Sequence, residues 1–72
     1  MLPLTFAKEG QTVTIARVGG REDVKKHLGD LGFVEGSKVR VITSHEGDLI
    51  VNLKESKLAI TKEMAAKVMI EE

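Results

Sequence analysis

The side chains best suited to chemistry lie close together near the middle of the chain, at His45, Glu46 and Asp48. An imidazole and two carboxylates can bind a divalent cation, but a tight site usually needs three or four protein ligands in fixed geometry. Here Glu46 and Asp48 flank Gly47 in a short polar segment of the kind that favours a turn. We therefore treat the three residues as weak metal candidates and expect a solvated hairpin tip, with no metal site and no cofactor.

Other catalytic chemistry has little support in the sequence. The chain has no Cys, which excludes a thiolate nucleophile and thiolate metal ligands. It lacks the G-x-x-x-x-G-K-[ST] phosphate loop, and its serines have no recognisable base nearby in sequence. The second imidazole, His27, lies four residues before Leu31, and we expect it to pack partly buried beside an apolar helix stripe. We expect no enzymatic activity.

Length and charge narrow the function further. A chain of 72 residues supports one small domain, residues 1–72. Its 11 Lys and Arg balance 11 Asp and Glu, whereas a nucleic-acid binder usually carries a basic excess. A barrel that touches RNA is therefore disfavoured. No targeting segment and no run near the ~18 apolar residues of a membrane span is present, so we expect a cytoplasmic protein without membrane insertion.

The elements that must position these residues follow from hydrophobic periodicity. Alternation with β-branched residues predicts a strand over 11–18, and Val24, Leu28 and Leu31 at i, i+4 and i+7 predict a helix over 21–31. Gly32 ends this helix, and we expect it to have positive φ. Four further strands are predicted over 38–44, 49–54, 57–61 and 67–71. About five short strands are too few for a sandwich, so the pattern predicts a mainly β, partly open barrel with one helix inserted after the first strand.

The segment from Leu28 to Val41 resembles the hallmark of the ferrous iron transport protein A (FeoA) family. The shared pattern is a helix that ends in Leu31-Gly32, an apolar residue, a short gap, Gly36 and an alternating strand. Upstream, Gly10 and Gly19 match as well, and the resemblance extends from 4 to 70. Glu35 departs from the family pattern, because many members have Pro before the second Gly, which makes this turn less rigid.

This resemblance implies an SH3-like barrel and a function in bacterial ferrous iron transport. A member of the family would be a small cytosolic accessory or regulatory protein without enzymatic activity. Its partner would be the membrane ferrous-iron transporter, ferrous iron transport protein B, which carries a GTPase domain. The same module is fused to some metal-dependent transcriptional repressors, so a stand-alone regulatory domain of that type is the alternative. No DNA-binding helices precede the module in this sequence, and we therefore expect the transport form.

A protein that acts by docking needs apolar side chains outside its core. We expect Phe33 to pack in the core against the helix, and Val34 and Ile42 to form an exposed apolar patch at the corner between helix, turn and strand. Lys25 and Lys26 on the helix would add an electrostatic rim, which affects the association rate more than the affinity. These four residues are the predicted partner-binding surface.

Overall fold

Six strands and two α-helices follow one another along residues 1–71, the part of the chain that this computed structural model describes. In chain order the elements are β1 Leu2–Pro3, a 3₁₀ helix Leu4–Phe6, β2 Thr12–Val18, α1 Glu22–Leu31, β3 Lys38–His45, β4 Asp48–Leu53, β5 Ser56–Ile60, α2 Lys62–Ala65 and β6 Val68–Ile70. The strands form a sheet in the order β1-β6-β2-β3-β4-β5, and every pairing is antiparallel.

The predicted mainly β fold with one main helix is confirmed, and β2 to β6 correspond to the five predicted strands. The additional strand is β1, in a region where the sequence indicates only an irregular opening. Leu2 and Pro3 pair with Ile70 and Met69 of β6. A strand of two residues is too short to show alternation of apolar and polar side chains, so it can be recognised only by its pairing with β6. Helix α1 consequently follows the second strand of the chain and not the first.

The core is built from aliphatic side chains and one phenylalanine, and most of these residues lie at alternate strand positions. β3 and β4 contribute five residues that are at most 1% exposed, namely Val39, Val41, Leu49, Val51 and Leu53. Phe33 joins them at 1% exposure, which confirms its predicted place in the core. No polar or charged residue is buried anywhere in the described part of the chain. Chemistry and recognition therefore depend on the surface.

A β-bulge in β3 changes which side chains face outward. Val41 pairs with Val51, but the next pair is Thr43 with Ile50, so Ile42 is an extra residue without a partner in β4. Bulges of this kind bend the strand and increase its twist. Beyond the bulge, Thr43 and Ile50 lie on the outer face of the sheet, because Val41 and Val51 point inward.

Two tight turns connect the last strands of this sheet. Glu46 and Gly47 join β3 to β4 with φ of 52° and 94°, and Lys54 and Glu55 join β4 to β5 with φ of 53° and 67°. Positive φ at both central residues identifies type I′ turns, whose twist matches that of the flanking strands. The second turn achieves this geometry without glycine.

Candidate docking surface

Helix α1 ends at Gly32 in a way that fixes the start of the following turn. Gly32 has φ 109° and donates its N–H to the carbonyl of Gly29 at 3.0 Å, while the N–H of Phe33 reaches the carbonyl of Leu28 at 3.0 Å. This pair of hydrogen bonds is the Schellman motif, in which a left-handed residue satisfies the last helix carbonyls. The predicted positive φ of Gly32 is confirmed, and the motif directs Phe33 into the core.

Val34 follows directly, on a backbone that is held from two sides. Its carbonyl accepts a hydrogen bond from the N–H of Ser37 at 3.0 Å, and the N–H of Gly36 donates to the carbonyl of Ile15 in β2 at 2.8 Å. The Val34 side chain is nevertheless 43% exposed. The turn therefore presents an apolar side chain to solvent from an ordered backbone.

Lys25 and Lys26 lie in the first half of α1, the helix that leads into this turn. Both are exposed, and within residues 1–71 neither side chain forms a salt bridge or hydrogen bond. A rise of 1.5 Å per residue places Lys26 roughly 8 Å along the helix axis from Leu31. The two cations are free to meet carboxylates of a partner.

Ile42 lies on a different element from these three residues, in β3. It is half-buried and sits at the bulge of β3, four residues beyond Lys38 and therefore about 13 Å along the strand. The neighbouring carbonyl of Val41 accepts a hydrogen bond from the N–H of Gly10 at 2.7 Å. The sequence could not reveal this bulge, because only the pairing of β3 with β4 defines it. We call Val34, Lys25 and Lys26 the Val34 corner, and treat Ile42 as a separate position.

The predicted metal candidates are only partly brought together. His45 Nε2 lies 3.7 Å from Glu46 Oε2, and both side chains are 87% exposed at the tip of the β3–β4 hairpin. Asp48 Oδ1 instead accepts a hydrogen bond from the backbone N–H of Lys62 at 2.8 Å, at the start of α2. Among residues 1–71, no group of three or more His, Asp and Glu side chains could hold a metal ion.

His27 is exposed, and the expectation that it packs partly buried is wrong. At 3.6 residues per turn, His27 points about 100° away from Leu28, the one fully buried residue of α1. Only a narrow stripe of α1 packs against the rest of the protein, and His27 lies outside this stripe.

A groove that the sequence analysis did not identify lies on the outer face of β3, β4 and β5. Its volume is about 280 Å³, and its lining combines four apolar and four polar residues: Leu49, Ile50, Ala59, Ile60, Thr43, His45, Asp48 and Thr61. Ile50 is 41% exposed and interrupts the alternation of β4, since it is an apolar residue at an outward position. That irregularity is the signal by which the sequence could have indicated this surface.

No helix in the described part of the chain is long and apolar enough to cross a membrane.

Comparisons with known proteins give a consistent result. Residues 2–72 match the FeoA domain family. The chain is 36% identical over 72 residues to a provisionally named Fe²⁺ transport protein A of Methanocaldococcus jannaschii, covering 100% of this chain and 88% of that protein. Its fold matches FeoA of Stenotrophomonas maltophilia, an SH3 domain protein solved with zinc, with a TM-score of 0.86 at 19% identity over 99% of this chain and 91% of that chain. A manganese-dependent transcriptional repressor gives a TM-score of 0.86 at 18% identity, over 94% of this chain and 39% of that chain.

Proposed function

The chain belongs to the FeoA family, and on this basis we propose that it is a cytoplasmic accessory and regulatory protein of ferrous iron transport. It acts by docking to the cytosolic part of the membrane ferrous-iron transporter, ferrous iron transport protein B, and catalyses no reaction itself. The name of its relative in Methanocaldococcus jannaschii, which refers to Fe²⁺ transport, supports this assignment. The SH3-like fold supports a function in binding, since small barrels present loops to partners.

The Val34 corner is the observation that carries the docking proposal. An exposed apolar side chain on a fixed backbone loses little conformational freedom when it is covered by a partner. Lys25 and Lys26 have no carboxylate partner within the described residues, and they would steer an acidic surface towards this corner. Ile42, which is half-buried at the bulge, provides a second contact in this proposal.

The distribution of polar groups supports docking over catalysis. Both imidazoles, His27 and His45, are exposed, so neither has the desolvated setting that tunes a general acid or base. Within residues 1–71 the core contains only apolar side chains. The features that distinguish this surface are exposed apolar residues and cations without partners, which suit recognition of another protein.

We expect Val34→Asp to leave the chain folded and to weaken its binding to the cytosolic part of the transporter. At an exposed position the free energy of unfolding should change by no more than about 0.5 kcal/mol. In the complex the carboxylate would be desolvated without a partner, which should cost about 2 kcal/mol of binding, or roughly thirtyfold in Kd. Titration calorimetry with the purified cytosolic part measures the loss.

Phe6→Asp is the matched control, since Phe6 is an apolar residue that is 66% exposed outside the Val34 corner. If Val34→Asp kept full affinity for the transporter and Phe6→Asp lost affinity, the docking surface would lie on the 3₁₀ helix instead. For Ile42→Asp, the free energy of unfolding must be measured alongside the affinity. A half-buried carboxylate also destabilises the fold, which would lower binding indirectly.

The second candidate function is that of a regulatory domain of the kind found in metal-dependent repressors. The observation that favours it is the likeness in fold to the manganese-dependent repressor. Under this alternative the chain binds the DNA-binding part of a repressor and not the transporter. Parallel titrations with both partners separate the two functions, since the transport proposal requires binding to the transporter and loss of that binding in Val34→Asp.

A further inference from the structure

The two edges of the sheet differ in a way that points to a second binding surface. Edge strand β1 has two residues, and one of them is Pro3, which lacks the N–H needed to pair with another strand. Edge strand β5 has five residues and no proline. Within residues 1–71 it pairs only with β4. Short length, proline and charged side chains are common devices that protect sheet edges. β5 has neither short length nor proline, and its one charged residue is Lys57.

The register of β5 shows which backbone groups are available. Leu53 and Ser56 close the β4–β5 turn, and hydrogen-bonded pairs alternate along an antiparallel ladder from such a turn. Ser56, Leu58 and Ile60 therefore bond to β4, while the N–H and C=O groups of Lys57 and Ala59 point to the free edge. This edge can accept one more strand.

An apolar surface adjoins the free edge on the outer face. Thr43, Ile50 and Ala59 form one row across β3, β4 and β5, and this row contributes to the groove of about 280 Å³. Ile50 is 41% exposed, and Ala59, which is small, leaves it accessible from the edge. A strand added to β5 would place one side chain opposite Ala59, where it can cover Ile50.

The neighbouring row of the same face is positively charged. Arg40, Asn52 and Lys57 lie side by side across the three strands. Both cations are exposed, and neither has a salt-bridge or hydrogen-bond partner among the residues that the structure describes. An incoming strand would place another side chain opposite Lys57, two residues from the one opposite Ala59. A carboxylate there would lie directly beside Lys57, while Arg40 on β3 adds positive charge further along the same row.

We propose that β5 binds an extended segment of a partner protein by antiparallel strand addition. The segment carries an apolar side chain opposite Ala59 and an acidic side chain opposite Lys57, so its sequence has an apolar residue two positions before an acidic one. A second copy of this chain fits less well, because the one charged residue of β5 is Lys57 and pairing two copies would bring two of these cations to the same edge. The surface does not include the Val34 corner, and the inference does not depend on the transport assignment.

The test uses a capped peptide of sequence Thr-Val-Ile-Val-Glu-Val-Thr and a matched peptide in which Lys replaces Glu. Titration into the full ¹⁵N-labelled chain should shift the backbone amide resonances of β5 and of Ile50 and Thr43. Exchange of the Lys57 and Ala59 amide hydrogens with solvent should slow on binding, because strand addition bonds the outward N–H groups. The Lys peptide should bind at least about tenfold more weakly.

The charge variant Lys57→Glu should reverse this preference and bind the Lys peptide better than the Glu peptide. Ala59→Pro removes an outward N–H without removing a hydrogen bond to β4. In this variant the amide hydrogen of Lys57 should no longer exchange more slowly when peptide is added. Glu35→Gln, at an exposed position in the turn after α1, is the control and should bind both peptides like the unchanged chain. If Ala59→Pro does not fold, the reversal in Lys57→Glu decides the question.

Three results would overturn the proposal. The first is equal binding of the two peptides, or no binding up to about 1 mM, a limit near −4 kcal/mol. The second is a set of resonance shifts without slowed exchange at Lys57 and Ala59, which would mean contact without strand addition. The third is self-association of the chain in sedimentation experiments that Lys57→Glu strengthens, which would show that a second copy occupies the edge.

Discussion

At the scale of single residues, Gly32 has the clearest consequence for stability. A side chain at φ 109° is strained, and a Cβ built there would lie 3.2 Å from Leu53 Cδ2. We expect Gly32→Val to lower the free energy of unfolding by more than about 1 kcal/mol, because a β-branched residue is strongly disfavoured in this region. Urea unfolding followed by circular dichroism measures the change.

Gly29→Ala is the matched control within the same helix. A Cβ at Gly29 would meet no atom within 4 Å, and alanine stabilises a helix interior by about 1 kcal/mol relative to glycine. The two glycines should thus respond with opposite signs. An unchanged unfolding midpoint in Gly32→Val would show that α1 does not need its left-handed end.

The hairpin residues His45, Glu46 and Asp48 should bind metal ions only weakly. His45 and Glu46 are 87% exposed, with Nε2 and Oε2 3.7 Å apart, while Asp48 already accepts a hydrogen bond from the backbone N–H of Lys62. We expect no stoichiometric Fe²⁺ or Zn²⁺ binding tighter than about 1 µM, which corresponds to about −8 kcal/mol. Anaerobic titration calorimetry tests this, and a single tight site that disappears in His45→Ala would contradict it.

At this scale, a structural feature could be predicted when residues close to it in sequence determine it. The positive φ of Gly32 and the burial of Phe33 follow from the helix pattern and the residues directly after it. The exposure of His27 could not be predicted, because it depends on how little of α1 the rest of the molecule covers. The place of Ile42 at a bulge could not be predicted either, because only the pairing with β4 defines that bulge.

At the scale of elements, the turn between β4 and β5 contains avoidable strain. Lys54 and Glu55 both have positive φ, which costs non-glycine residues roughly 1 kcal/mol each and which Asn-Gly adopts readily. Replacing them together, Lys54→Asn with Glu55→Gly, should raise the free energy of unfolding by about 0.5–1 kcal/mol after the entropy of glycine is included. Chemical denaturation provides the measurement.

The β3–β4 turn supplies the comparison for that experiment. Gly47 already occupies its second central position, so Glu46→Asn alone should have a smaller effect. If the free energy of unfolding rose equally for the substitutions at the two turns, the missing glycine would not be the source of the strain. Because the Lys54-Glu55 turn closes the β4–β5 ladder, the variant stabilised at that turn is a useful background for Ala59→Pro.

Strands with several alternating residues were predictable, and the shortest one was not. β2, β4 and β5 show period-two patterns that their own residues establish, and α1 shows a distinct helical stripe. β1 has two residues and exists only because β6 lies beside it. The outward apolar position of Ile50 was visible as an irregularity, but its meaning required the groove formed with β3 and β5.

At the scale of the whole molecule, the two binding surfaces that we propose lie on different parts of the fold. The Val34 corner lies where α1 leads into β3, and the free edge of β5 lies at the end of the strand order. Both regions present apolar side chains beside cations that have no partner in the described part of the chain. With two such surfaces, a domain of this size could contact two protein segments at once. Its apolar core would then serve to hold the two surfaces in fixed positions.

The strand order also has a consequence for how quickly the chain folds. β3, β4 and β5 are joined by turns of two residues, whereas Leu2 must find Ile70 across almost the entire sequence. Closing a long loop is entropically costly, and distant contacts slow folding. We expect the β3–β4–β5 meander to form in the rate-limiting step and β1 to join afterwards. Stopped-flow kinetics should give a φ-value well above 0.5 for Val51→Ala and near zero for Leu2→Ala, and the reverse order would show that folding begins where the two ends of the chain meet.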